Sequence, residues 1–208
     1  MAINPLRRQI VLASAALPLA VPRHVVSKSS DQDYVDALRR GNCMVLIRHA
    51  QTVPGIGDPP GMRLDDCATQ RDLSDAGVAQ ARRFGQWFKR YGLTPSAVRS
   101  SQWCRCLNTA RAAFDEKNFG RELPVAPWIA LNSFFQGHGN RDRQLAEAAD
   151  MARSLAARKS SGQFEVWVSH QVVISSLTNQ YLGMGEMIVA AFDAPGKPFR
   201  LLARGLSF

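Results

Sequence analysis

Four residues that lie far apart in the chain carry side chains suited to a phosphate ester. All four lie just beyond an apolar segment or near the start of a helical one: Arg48, His49, Arg105 and His170. A phosphomonoester carries close to two negative charges, and a guanidinium binds its oxygens with forked, permanently charged donors. A neutral imidazole nitrogen can attack the phosphorus and form a covalent intermediate. The residue types therefore predict a phosphoryl-transfer site that requires no metal ion and no other cofactor.

The two histidines are expected to have different roles. His49 must be neutral on its attacking nitrogen, because that nitrogen would carry the phosphoryl group. His170 would serve better in the protonated form, in which it donates a hydrogen bond to an equatorial oxygen as charge develops. Arg48 and Arg105 would bind the same phosphoryl oxygens.

The pattern around these residues predicts alternating strands and helices. The predicted strands cover residues 43–47, 97–100, 164–169 and 186–192, with a further edge strand at 199–202. The predicted helices are a short one ending near Gly41, three over 74–91, 103–114 and 172–182, and one capped by Asp142. This alternation indicates an α/β/α sandwich of three layers with a mostly parallel central sheet. In such sheets ligands gather at the carboxyl ends of the strands, where the four residues fall.

A loop rich in glycine and proline follows the Arg-His pair. So many turn-forming residues at 52–61, directly after His49, indicate a shaped rim over a pocket rather than a linker. The segment 58–69 is expected to shape substrate access, with Asp58 and Arg63 as candidate substrate contacts.

Four segments resemble, in order, the motifs of one family. Residues 46–52 resemble the Arg-His-Gly signature of the histidine phosphatase superfamily, the phosphoglycerate mutase-like clan of the branch 1 type. Residues 72–81, 100–110 and 168–170 resemble the segments that open its first long helix and carry its second arginine and second histidine. The resemblance runs from about residue 43 to 192. It implies a phosphoglycerate mutase-like fold, a phosphohistidine on His49, and four phosphate ligands: Arg48, Arg105, His170 and Thr52.

The sequence departs from the family pattern at the proton donor. Many relatives carry a glutamate where this chain has Ser133, and a serine hydroxyl is too weak an acid to protonate a leaving alkoxide. Glu186 is the preferred substitute, because that segment borders the site in relatives, and Asp58 is the other. Ala50, in place of the glycine after the histidine, is a minor change if the backbone φ there stays negative.

The four cysteines do not have the spacing of a zinc site. None forms a Cys-x-x-Cys pair, so a structural metal is not expected. A disulfide is allowed if the chain is exported. The predicted pairing is Cys67 with Cys104 or Cys106, because both segments border the proposed pocket. The alternative is a set of buried free thiols.

The first 26 residues have the pattern of an export signal. Arg7 and Arg8 precede an apolar run that ends in small residues, and the paired arginines resemble a twin-arginine signal. The run is shorter than the roughly 20 residues that span a bilayer. We therefore expect a signal peptide at 1–26, a single histidine phosphatase domain at 27–208, and a periplasmic or secreted protein. The alternative is a cytoplasmic protein with an N-terminal extension.

Together these observations predict a phosphomonoesterase acting on a small-molecule or envelope phosphoester. The formal net charge of +9 favours anionic partners, but no Lys/Arg-rich block indicates nucleic acid. No stable membrane insertion is expected after processing, and the sequence does not specify an oligomeric state. One alternative is a non-catalytic phosphate- or phosphoprotein-binding relative that has lost its general acid. A phosphomutase is a less favoured alternative.

Overall fold

A six-stranded sheet organises the part of the chain that the computed structural model describes, residues 28–159 and 162–208. The strands are β1 (Cys43–Arg48), β2 (Ala97–Ser100), β3 (Val125–Pro127), β4 (Phe164–Ser169), β5 (Glu186–Ala191) and β6 (Arg200–Ser207). Their order in the sheet is β3-β2-β4-β1-β5-β6. The first four pair in parallel, whereas β5 runs antiparallel to β1 and β6 antiparallel to β5. The mostly parallel sheet is confirmed.

Strand β1 shows how the sequence builds this sheet. Val45 and Ile47 belong to the core on one face of the sheet, and Met44 and Leu46 belong to the core on the other. All four are fully buried. Because successive side chains of a strand point to opposite faces, a continuous apolar run needs cover on both sides. This requirement places β1 in the interior of the sheet.

Helices provide the cover on both faces. They are α1 (Asp31–Arg40), α2 (Asp75–Arg90), α3 (Cys104–Ala113), α4 (Glu116–Phe119), α5 (Arg141–Ala156) and α6 (Gln171–Thr178). Helices α1, α2 and α3 pack into the core that contains Val45, whereas α5 and α6 pack into the one that contains Met44. The predicted sandwich of three layers is confirmed.

Most helix ends follow the predicted capping chemistry, with two corrections. Ser74 caps α2, the helix predicted over 74–91, by accepting a hydrogen bond from the Gly77 N–H. The cap of α5 is Asn140 and not Asp142, because the Asn140 side chain accepts the N–H of the third helical residue. Helix α6 ends at 178 rather than 182, because Asn179 adopts a left-handed conformation with φ of 57°.

Two strands also differ from the prediction. Strand β3 is missing from it, because three residues ending in Pro127 give no apolar run to detect. Strand β6 extends well beyond the predicted 199–202, because pairing with β5 continues as far as Ser207 opposite Glu186. Both corrections concern the edges of the sheet and leave the strands that hold the site unchanged.

Residues 1–27 lie outside the described part of the chain. The predicted signal peptide at 1–26 and its boundary with the domain therefore lie outside it too. Within residues 28–159 and 162–208, no helix is both long and apolar enough to cross a membrane.

Candidate active site

A cavity of about 350 Å³ opens at the carboxyl ends of the central parallel strands. The chain leaves β1 at Arg48, leaves β4 at Ser169, and passes from β2 through a short turn into α3. Because these three strands run in the same direction and adjoin in the order β2-β4-β1, their ends converge. The cavity is lined by all four residues first singled out from the sequence: Arg48, His49, Arg105 and His170.

His49 is held so that one ring nitrogen faces the protein and the other is free. Its backbone N–H donates to the Ser169 carbonyl at 3.0 Å, which continues the parallel ladder past the end of β1. The next N–H, of Ala50, donates to Thr109 Oγ1 at 3.0 Å. In the ring, Nδ1 lies 2.9 Å from the Ala50 carbonyl, an acceptor, so Nδ1 carries the proton and Nε2 keeps its lone pair. This is the tautomer that a nucleophilic histidine needs.

The electrostatics keep His49 neutral. The pKa of His49 is lowered to about 3, chiefly by burial. The hydrogen bond with Ala50 opposes that shift, whereas the nearby charges of Arg105, Arg48 and Arg71 add to it. An imidazole in this setting stays unprotonated at any physiological pH, as the role of nucleophile requires.

His170 lies across the cavity from His49, with 5.5 Å between the ring centroids. Its Nε2 lies 2.8 Å from Ser101 Oγ, and the single proton of that hydroxyl can be donated to Asn132 Oδ1 at 3.2 Å. The pKa of His170 is well below its ordinary value, because the ring is buried and lies near Arg105 and His49. Without a bound anion, these surroundings therefore favour the neutral ring of His170. A bound dianion would oppose this shift, since an opposite charge favours the protonated ring.

Three guanidiniums meet at the cavity, one more than the sequence predicted. Each has part of its donor set engaged by the protein. Arg48 Nη1 donates to the Leu182 carbonyl at 2.7 Å, Arg105 Nη1 donates to Asp58 Oδ1 at 2.7 Å, and Arg71 Nη1 donates to Thr52 Oγ1 at 2.9 Å. The Nε atoms of all three are buried and have no hydrogen-bond partner. Buried donors left unsatisfied are costly, so this cluster is suited to an anion that accepts from them.

Arg71 is the functional candidate that the sequence prediction missed. It stands one residue before the segment 72–81 that resembles a family motif, so its position was the available signal. Its backbone N–H also donates to Asp58 Oδ1 at 3.0 Å, which ties it to the loop above the cavity.

We call residues 52–73 the rim loop. Its two ends meet in an antiparallel bridge between Thr52 and Leu73. Inside the loop, Asp58 lines the cavity, as predicted, and forms a buried ion pair with Arg105, in which the side chains are 7% and 6% exposed. Asp58 Oδ2 accepts a further hydrogen bond from Trp103 Nε1 at 3.0 Å.

The pKa of Asp58 reflects these contacts. Burial raises it, but the hydrogen bond and charge of Arg105, the Arg71 N–H and the Trp103 indole together bring it below the ordinary value. Asp58 is therefore ionised, and its carboxylate accepts from donors that a phosphate could also use.

Three other predicted site residues do not line the cavity. Thr52, predicted as a phosphate ligand, instead accepts a hydrogen bond from Arg71, and its hydroxyl also lies 3.8 Å from Met184 Sδ. Arg63, predicted as a substrate contact, is 64% exposed and pairs with Asp65 and Asp66 in its own turn.

Glu186, the predicted general acid, does not line the cavity of His49 either. Its carboxylate accepts the Gly183 N–H at 2.8 Å and lines a separate cavity with Tyr181 and Arg204. The reason is its position at the first residue of β5, an antiparallel strand, whose amino end adjoins the carboxyl end of β1 but turns this side chain away from His49.

A disulfide joins the rim loop to α3. Cys67 pairs with Cys104, one of the two predicted pairings, across a Cα–Cα distance of 5.7 Å. Cys43 and Cys106 are free and buried. Because Cys104 precedes Arg105 and Cys67 lies in the loop that carries Asp58, the bridge secures both partners of the buried ion pair.

The remainder of the cavity is a mixture of aromatic, apolar and uncharged polar groups: Trp103, Phe135, His138, Ile56, Gln171 and Ser133. His138 lies against Trp103 with 5.6 Å between ring centroids. Among the described residues, no group of His, Cys, Asp and Glu side chains is arranged to hold a metal ion.

Part of the sequence matches a known protein family. Residues 44–139 match the family model of the histidine phosphatase superfamily, branch 1. This stretch contains Arg48, His49 and Arg105, while His170 lies beyond it. Over these residues the chain is similar to the histidine phosphatase superfamily. No curated protein is significantly similar to it in sequence.

Solved structures share the fold at low sequence identity. The chain is similar to a mycobacterial glucosyl-3-phosphoglycerate phosphatase at 17% identity and a TM-score of 0.58, over 81% of this chain and 100% of that one. It is similar to the protein histidine phosphatase SixA, solved with tungstate, at 14% identity and a TM-score of 0.53, over 76% and 93%. A third neighbour is mycobacterial hydrolase 2, with 18% identity, a TM-score of 0.54 and coverage of 79% and 92%. These likenesses confirm the phosphoglycerate mutase-like fold.

Proposed function

We propose that the protein is a phosphomonoesterase that forms a phosphohistidine on His49. The observation that carries this proposal is the state of His49: its Nδ1 proton is engaged by the Ala50 carbonyl, and the ring is neutral beside three guanidiniums. A neutral nitrogen nucleophile facing an anion-binding cluster is suited to attack on a phosphate ester and to little else.

The reaction would proceed in two steps. Nε2 of His49 attacks the phosphorus, and the bond from phosphorus to the ester oxygen breaks. The guanidiniums of Arg48, Arg71 and Arg105 donate hydrogen bonds to the three equatorial oxygens, over which the negative charge spreads. Water then attacks the phosphohistidine, which releases inorganic phosphate and restores the neutral imidazole. His170 would bind the same group through Nδ1, since its Nε2 is engaged by Ser101.

The names of two structural neighbours also support a phosphatase. One of them was solved with tungstate and is named a protein histidine phosphatase, and another is named a glucosyl-3-phosphoglycerate phosphatase. At these identities the substrate is not transferable, because one fold supports many substrates. For this chain we propose an exported or envelope phosphoester, with the protein acting in the periplasm or after secretion.

Two features support export. The first 26 residues have the composition of a signal peptide, and Cys67 and Cys104 form a disulfide. Disulfides persist in oxidising compartments and are rare in the cytosol.

The test is hydrolysis of p-nitrophenyl phosphate by the purified protein over about pH 4 to 8, the range in which general acids and bases titrate. We expect turnover by the wild type and a loss of about 10⁴-fold or more in His49→Ala, with inorganic phosphate still binding weakly. His138→Ala is the matched control, because His138 lines the same cavity without contacting His49 in this arrangement, and it should keep most of the activity.

Covalent trapping makes the test specific to the mechanism. Rapid acid-free quenching during turnover should yield an acid-labile phosphoryl group on the wild type and none on His49→Ala. Absence of turnover by the wild type above that of His49→Ala would leave the non-catalytic phosphate-binding relative as the better interpretation. A screen of phosphorylated sugars and envelope fragments would then identify the substrate of an active enzyme.

A further inference from the structure

Asp58 is the only carboxylate among the described residues that line the cavity of His49 and His170. The usual glutamate of the family is replaced by Ser133, and Glu186 lies in a separate cavity. Hydrolysis of an alkyl ester nevertheless requires a proton donor, since an alkoxide is a poor leaving group. The cavity itself must supply that donor if the enzyme acts on alkyl esters.

The contacts of Asp58 place it directly beside the phosphate-binding group. Its Oδ1 accepts from Arg105 Nη1 at 2.7 Å and from the Arg71 N–H at 3.0 Å, and its Oδ2 accepts from Trp103 Nε1 at 3.0 Å. Asp58 thus lines the same cavity as Arg105 and is in direct contact with it. The disulfide between Cys67 and Cys104 joins the loop that carries Asp58 to the helix that carries Arg105.

A phosphate dianion would compete with Asp58 for Arg105. When the phosphoryl oxygens take the guanidinium, the carboxyl loses the charged partner that contributes most to lowering its pKa, and keeps only the neutral donors of Arg71 and Trp103. It would then be a buried group beside two negative charges, and both conditions favour its protonated form. The carboxyl takes this proton from solvent as the dianion binds.

We propose that Asp58 is the general acid of this enzyme, and that the substrate activates it by taking Arg105. The inference rests on the proposed phosphomonoesterase function. As His49 Nε2 bonds to phosphorus and the ester bond breaks, the Asp58 carboxyl gives its proton to the departing oxygen, and a neutral alcohol leaves. The resulting Asp58 carboxylate takes a proton from the water that attacks the phosphohistidine. Inorganic phosphate and protonated Asp58 result. As phosphate leaves, Asp58 gives this proton to solvent and its carboxylate pairs with Arg105 again.

The test compares two esters that differ in their need for a proton. Nitrophenolate leaves without protonation, whereas glycerol leaves only as the alcohol. In Asp58→Asn we expect kcat/KM for glycerol phosphate to fall by about 10²–10⁴-fold, and that for p-nitrophenyl phosphate to change by less than about threefold. Asp65→Asn is the matched control, because it removes a carboxylate of the same loop that is 86% exposed and outside the cavity. It should change neither value.

Inhibition by inorganic phosphate provides a second readout, which also reports on folding. Asp58→Asn frees Arg105, so phosphate should inhibit that variant at least as strongly as the wild type. A merely structural role predicts weaker inhibition and an equal loss on both esters, and either result would overturn the proposal. The wild type alone offers a further check: a steep fall of kcat/KM as the leaving group becomes more basic would show that no acid operates.

The failure of this inference can be told from the failure of the proposed function. If the wild type hydrolyses neither ester, the phosphomonoesterase function itself is wrong, and the role of Asp58 falls with it. If the wild type hydrolyses both and Asp58→Asn treats them alike, only the acid is misassigned.

Discussion

The strand ends and the rim loop supply the cavity with groups that are held in different ways. Arg48, His49 and His170 lie at the ends of β1 and β4, where parallel backbone pairing and two buried cores fix their positions. Asp58 and Arg71 lie in the rim loop, where side-chain contacts and one disulfide hold them. The sheet therefore fixes the position and the charge state of the nucleophile, while the loop provides contacts that a bound ligand can replace.

The largest expected effect separates the two regions by their arginines. Arg48→Ala should lower kcat/KM for p-nitrophenyl phosphate by about 10²–10³-fold, because it removes a charged donor fixed at a strand end. Arg71→Ala should cost only about tenfold, because Arg71 is partly engaged by Thr52 and Gly55 and its loop can adjust. Steady-state kinetics check both values. Equal losses would show that loop and strand hold their arginines equally well.

Loss of the disulfide tests how far the loop depends on its bridge. The pair Cys67→Ser with Cys104→Ser should lower the free energy of unfolding by about 3 kcal/mol, since the bridge closes a span of 37 residues. Activity on p-nitrophenyl phosphate should fall less than in Arg48→Ala, because the strand ends remain in place. Urea denaturation measures the first effect. The reducing agent dithiothreitol should reproduce it in the wild type and have no effect on the double variant.

Acid should destabilise the fold through the two histidines of the strand-end region. The folded pKa of His49, about 3, is below the ordinary 6.5, so between these values the unfolded chain binds a proton that the folded protein does not. The stability of the fold therefore falls as the pH drops, by about 1 kcal/mol per pH unit for each such histidine. Urea denaturation from about pH 6.5 to 5 lies above the range in which carboxylates titrate. His49→Gln and His170→Gln should each flatten the slope, and slopes parallel to the wild type would contradict the lowered pKa.

The smallest effect is expected from the two predicted residues that lie outside the cavity. Glu186→Gln and Arg63→Ala should leave kcat/KM within about twofold of the wild type for both esters, because neither side chain reaches the reacting atoms. A loss above tenfold in either would mean that the residue reaches the substrate by a movement of its loop.

The sequence predicted the strand-end region well for a physical reason. Strand β1 is a continuous apolar run, and the residues that follow it must lie at the carboxyl edge of a parallel sheet. The same reasoning located His170 after β4 and Arg105 after β2. The convergence of these residues therefore follows from secondary structure alone.

The rim loop could not be predicted in the same way. Its path depends on side-chain contacts such as the one from Arg105 to Asp58, and no periodicity records them. For that reason Arg71 was missed and Arg63 was placed in the site, although both are arginines of the same loop. Glu186 was misassigned because a strand pattern does not determine which way the first side chain of β5 will point.

The ion pair of Arg105 with Asp58 also determines how much negative charge a ligand needs in order to bind in the cavity. The guanidinium already has an anion, so a singly charged solute such as chloride or acetate gains nothing there that the protein does not provide itself. A dianion brings more charge than the carboxylate it displaces, and Arg48 and Arg71 line the same cavity. The cavity would thus select a phosphate monoester over the abundant monoanions at the binding step, because the ligand must compete with Asp58 for Arg105.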